Sequence, residues 1–169
     1  MNVKKTTLYV TQAALIAAMY FVINLLQNTL LPGTTSMAIQ FRFAEALCVL
    51  AMFTTAAIPG LGIGCMLFNL TTAGSLPLDF IVGTIATVLS TLLMYLLRNV
   101  KLRGYPWLSM LMPVVFNAVI VGWELTYYGF NLLHINMLYV AAGEAAVIFV
   151  LGTALYFVLQ RHKTHIFSK

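Results

Sequence analysis

The chain has 169 residues, 62% of them hydrophobic and only 8% charged, with a mean hydropathy of +0.95. A soluble domain carries about a quarter charged residues, so the composition excludes one and predicts an all-α integral membrane protein, a single domain over residues 1–169. The net charge of +5 does not point to nucleic acid: most basic residues flank predicted helix ends as topology signals, the others being Arg42, Lys163 and Lys169.

A membrane-crossing helix needs about 20 apolar residues. The first predicted span is Thr7–Leu30. Lys4 and Lys5 precede it in the manner of a signal peptide, but the apolar run is too long for one and lacks a clear cleavage site, so a retained helix is expected. Ala13, Ala14, Ala17 and Ala18 give two overlapping Ala-x-x-x-Ala spacings. Such a stripe lets another helix approach closely, either within this bundle or from a partner. The second span is expected over 37–57 and carries Arg42 and Glu45, three apart and so on one face. The third, over 59–73, opens at Pro59, a good first-turn residue. The remaining spans are 78–97, 107–127 and 136–160.

The Ile58-Pro59-Gly60 break leaves open whether the second and third spans are one kinked helix, giving five. Charge decides for six. With six, Lys4 and Lys5, the Arg98–Arg103 loop and the tail from Arg161 share one side, and the loops near Thr34, Ser75 and Asn131 contain no Lys or Arg. The positive-inside rule then puts both termini in the cytoplasm.

On that topology all four acids and Arg42 converge on the outer half. Asp79 opens the fourth span. Glu124 lies near the outer end of the fifth, with Asn117 about 10 Å deeper, and Glu144 lies about 12 Å below the start of the sixth. Periodicity puts Asp79, Gly83, Thr87 and Ser90 on one face; Pro113, Asn117 and Glu124 on another; and Gly62, Cys65, Asn69 and Thr72 on a third. The expected result is a polar pocket open to the outside, with Arg42, Glu45, Asn69, Asp79, Asn117, Glu124 and Glu144 as candidate substrate-binding residues. Intramembrane charges are costly and mark functional sites by default. Structural alternatives stay open: an Arg42–Glu45 ion pair, interhelical hydrogen bonding by Asn69 and Asn117, an N-cap role for Asp79, and a solvated rim position for Glu124. Glu144, flanked by Ala and Gly, is the hardest to explain that way. Cys48 and Cys65 read as small apolar residues, His134 as a loop residue, and Tyr105, Trp107, Tyr127 and Tyr128 as interfacial aromatics.

The chain has no GxxxxGK[ST], HExxH or GxSxG motif. Hydrolysis of ATP by a P-loop is therefore not expected of it, and no catalytic residue, metal or cofactor is expected either.

Several stretches taken in order carry a family resemblance: QFRFAEAL at Gln40–Leu47, AAIPGLGIGCMLFNL at Ala56–Leu70, PLDFIVGTIAT at Pro77–Thr87, PVVFNAVIVGWEL at Pro113–Leu125 and AAGEAA at Ala141–Ala146. From about Lys5 to Gln160 the chain resembles the QueT family, substrate-binding S components of energy-coupling factor (ECF) transporters assigned to queuosine precursors. The resemblance implies a six-helix bundle with both termini inside and a pocket near the outer face. It implies that Ala13, Ala14, Ala17 and Ala18 dock a transmembrane T component, that two cytoplasmic ATPases supply the energy, and that the S component topples in the bilayer to deliver its ligand. A 7-deazaguanine presents N1–H beside an exocyclic amine, a donor edge that a carboxylate accepts in paired fashion, and an aminomethyl precursor adds a cation. Two other functions remain in play: an S component for another small nutrient such as a vitamin, and a small intramembrane enzyme using two of the carboxylates.

Overall fold

The computed structural model describes residues 3–35, 41–72 and 75–162. Within them the helices are α1 (Val3–Leu30), a 3₁₀ helix (Phe43–Met52), α2 (Ala57–Thr71), α3 (Asp79–Leu97), α4 (Trp107–Tyr127) and α5 (Leu133–Ala146). From α5 the chain continues without a break through a π-helical segment (Val147–Gly152) into α6 (Thr153–Arg161). Four helices are long and apolar enough to cross a membrane: Val3–Leu30, Asp79–Leu97, Trp107–Tyr127 and Leu133–Arg161.

The expected second span is corrected. Its start at Met37 lies outside the described residues. From Phe43 the chain forms a 10-residue 3₁₀ helix rather than an α-helix reaching Ala57. A 3₁₀ helix rises about 2.0 Å per residue, so these residues reach about 20 Å while exposing little surface. Eight of the ten are buried, four of them the small residues Ala44, Ala46, Cys48 and Ala51, which suits a length of helix threaded through the middle of a bundle. A helix stands where the third span is expected, α2, but it ends at Thr71 and is too short to be among those four; Ala73 and Gly74 lie outside the described residues. In the sixth span the π segment was not expected, and His134 sits in the first turn of α5 rather than in a loop.

Adjacent helices approach closely where glycine removes a side chain. A Cβ on Gly60 would lie 2.7 Å from the Ala13 carbonyl oxygen, and one on Gly64 would lie 2.8 Å from that of Ala17. The α1–α2 seam is therefore backbone against backbone, and Ala13 and Ala17 are used inside the bundle. Ala14 and Ala18, on the neighbouring face of α1, are exposed.

Contacts between elements fix the ends of the bundle. The Tyr9 hydroxyl donates to the Thr55 carbonyl at 3.4 Å, tying the start of α1 to the turn after the 3₁₀ helix. Met52, Arg98, Lys101, Tyr156 and Gln160 line one cleft, so that turn, the loop after α3 and the end of α6 share this end, with Lys4, Lys5 and Arg161. At the other end Asn69, late in α2, donates to the backbone carbonyl of Asp79, first in α3. The main apolar core lies around the 3₁₀ helix, including Tyr20, Val49, Leu61, Met94, Met110, Ile148 and Tyr156.

Candidate functional site

Arg42, Glu45, Asn69, Asp79, Asn117, Glu124 and Glu144 are all buried, and the inward faces read from periodicity in α3 and α4 point into the protein. The centre of the arrangement is Gly83. A Cβ there would lie 2.9 Å from Asn69 Nδ2, 3.6 Å from Arg42 Nη1 and 3.7 Å from Cys65 Sγ, so a side chain at this position would push Asn69 aside where these groups converge. Arg42 donates from Nε to the Thr35 carbonyl at 3.3 Å. Among the described residues it forms no ion pair with Glu45.

Glu45 is instead engaged by neutral donors. Its Oε1 accepts from the Tyr20 hydroxyl of α1, and its Oε2 accepts from the Cys48 thiol at 3.1 Å. Cys48 is thus a weak donor as well as a small buried residue, and both cysteines are free. Gln27, two turns along α1 from Tyr20, clamps the backbone on either side of Arg42: its Nε2 donates to the Phe41 carbonyl, and its Oε1 accepts from the Phe43 N–H at 2.8 Å. These α1 contacts hold the start of the 3₁₀ helix and aim Arg42. Sequence reasoning missed Tyr20, Asn24 and Gln27. The available signal was their spacing of four and three, which puts them on one face of a helix.

Asp79 accepts from the Leu76 N–H at 2.8 Å, so its carboxylate closes the turn before α3 rather than capping the helix ahead of it. Asn117 donates to the Pro113 carbonyl at 3.0 Å within α4. Thr87 and Ser90 bond carbonyls of their own helix. Asn136 joins the start of α5 to the end of α4 through Thr126 Oγ1 at 2.9 Å.

Against this background, several buried oxygens meet no donor: both of Glu124, which sits within hydrogen-bonding reach of the Asp79 carboxylate, together with Oε1 of Glu144 and Oδ1 of Asn69. Glu124 is 0% exposed and Glu144 4%. The rim position considered for Glu124 is therefore corrected: its helix, which packs against α3 and α5, continues to Tyr127 and leaves it buried. The fields of Asp79 and Arg42 reach Glu124, and those of Glu45 and Arg42 reach Glu144, so the groups belong to one electrostatic neighbourhood. Leaving a buried polar group unpaired costs about 1–3 kcal/mol, and more for a charged one. Several such acceptors together make a region that the protein alone leaves unfinished.

The cleft at the opposite end, about 100 Å³, is lined by Arg98, Asn99, Lys101, Tyr156 and Gln160 and contains none of these residues. Among the described residues no group of three or more His, Cys, Asp or Glu is placed to hold a metal ion.

A family model described as QueT transporter matches residues 10–161. The chain belongs to the QueT transporter family. No curated protein and no solved structure matched it in the corresponding comparisons. As a member of the QueT family it is a membrane transport protein.

Proposed function

We propose that this QueT-family protein is the S component of an ECF-type importer and binds a queuosine precursor, a 7-deazaguanine such as preQ1, preQ0 or queuine. A T component and two cytoplasmic ATPases would complete the importer. The observation that carries this reading is the set of orphaned acceptors: Glu124 Oε1 and Oε2, Glu144 Oε1 and Asn69 Oδ1. An acceptor-rich site needs a donor-rich ligand. A 7-deazaguanine supplies N–H donors at N1, at the 2-amino group and at N9, and an aminomethyl substituent adds a cation. An anionic nutrient would meet four acids and one interior arginine and is disfavoured on charge alone.

In this reading Glu124, Glu144 and Asn69 contact the ligand, Arg42 and Asn117 border it, and Asp79 and Glu45 shape the pocket while occupied by their own donors. The chain is one membrane domain that crosses the bilayer six times with both termini cytoplasmic. Supporting this, the described basic residues other than Arg42 gather at one end and the carboxylates lie toward the other. The 3₁₀ helix and the 15-residue α2, about 22 Å long at 1.5 Å per residue, would be the two short crossings. Cysteine labelling just after Gln160 tests the orientation: protection from an external reagent is expected, and external labelling would reverse it.

The binding claim is tested by calorimetric titration of 7-deazaguanines into the purified protein. Glu144→Gln keeps the shape but turns one acceptor into a donor. It should weaken binding by about 2–4 kcal/mol, roughly 30- to 1000-fold. Glu124→Gln, equally buried, should cost as much. Wild-type protein that binds no 7-deazaguanine would return the ligand to the wider class of small nutrients.

A further inference from the structure

Asn24 lies in the middle of α1, is 0% exposed, and has neither side-chain atom paired. Its surroundings are fixed by its neighbours one turn away on the same face. Tyr20 bonds Glu45, and Gln27 bonds the backbone on both sides of Arg42. Asn24 lies between them on that face of α1, and the Arg42 that Gln27 brackets converges with Asn69 at Gly83. The other unpaired nitrogen- or oxygen-bearing groups here are acceptors or, at Thr72, a hydroxyl. Asn24 Nδ2 is the one unpaired buried nitrogen donor among the described residues.

We infer that Asn24 is a ligand-reading residue that donates from Nδ2 to the 6-oxo group of the base. The inference rests on the 7-deazaguanine reading above and adds a specificity element to it. The acids account for the ligand's donors but leave its 6-oxo oxygen without a partner of opposite character, and an amide donor supplies it. The aminomethyl group on C7 lies on the same edge as the 6-oxo, so Asn24 Oδ1 can accept from it while Nδ2 donates. An amide that offers donor and acceptor side by side thus matches that edge at two points.

The test crosses the residue with the ligand atom. Affinities of 7-aminomethyl-7-deazaguanine and its 6-thio analogue, which keeps N1–H but presents sulfur as a poorer acceptor, are measured on wild type, Asn24→Ala and Asn24→Ser. Wild type should prefer the oxo compound by about tenfold. In Asn24→Ala that ratio should collapse toward one, because the donor that distinguished oxygen from sulfur is gone. Asn24→Ser gives a second reading of the ratio should the alanine variant not fold. A ratio that stays at the wild-type value in a folded variant overturns the inference and leaves Asn24 a hydrated or packing residue. Wild type that binds neither compound overturns the substrate reading, and this inference with it.

Discussion

Glu45 on the 3₁₀ helix and Glu124 on α4 are both carboxylates removed from solvent, 1% and 0% exposed. Glu45 is held by a hydroxyl from α1 and a thiol from its own helix. Neither oxygen of Glu124 meets a donor; the polar group beside it is the Asp79 carboxylate, itself an acceptor held by the Leu76 N–H. The difference separates two regions. Around α1 up to Tyr20, the start of α2 and the 3₁₀ helix, the protein completes its own interactions, down to backbone-on-backbone contact at Gly60 and Gly64. Around the ends of α4 and α5, it leaves acceptors open at Glu124 and Glu144. Under the proposed function, the first acid serves stability and the second is reserved for the ligand. Local rules tend to fail at functional sites and to hold elsewhere.

The self-contained region should break first when overfilled. Gly64→Leu drives a side chain into the Ala17 carbonyl and the Tyr20 Cβ, 2.8 and 2.9 Å from the first added atom. A loss of about 3 kcal/mol is expected, read as a lower melting temperature in detergent. Ala17→Trp attacks the same seam from the other side and should fail in the same way. Ala14→Trp sharpens the contrast with the smallest effect on the protein itself. Ala14 is exposed, so stability should change by no more than about 0.5 kcal/mol and ligand binding should survive. If Ala14 and Ala18 are the part of the stripe left for a T component, co-purification of the complex should nevertheless fall. Normal assembly and uptake with Ala14→Trp would remove the docking role from this face.

Much of the frame could be read from the chain. The fourth and fifth spans match α3 and α4 to within a residue, because Pro-, Gly- and Arg-containing segments bound long apolar runs. The inward faces followed from polar residues at helical spacing. The 3₁₀ geometry of Phe43–Met52 did not, since apolar composition does not distinguish i→i+3 from i→i+4 bonding. The π segment after Glu144 is hidden for the same reason. Burial of the carboxylates was visible from spacing. Which of them were already satisfied was not: Tyr20 and Glu45 are 25 residues apart, and only the fold brings them together. Asn24 was overlooked as a lone polar residue in a long apolar helix, although Tyr20 and Gln27 share its face.

The contrast between the two acids is tested most directly by the ligand-free stability of Glu45→Leu and Glu124→Leu, measured side by side as melting temperatures in the same detergent. Replacing a buried acid that has partners strands the Tyr20 hydroxyl and the Cys48 thiol, at about 1–3 kcal/mol for each lost partner. Replacing one that has none removes an uncompensated polar group and is neutral or stabilising. The expected result is a lower melting temperature for Glu45→Leu and an equal or higher one for Glu124→Leu, with 7-deazaguanine binding abolished in the latter. A fall in both, with binding intact in Glu124→Leu, would contradict the division of the bundle into a self-sufficient part and a part completed by its ligand.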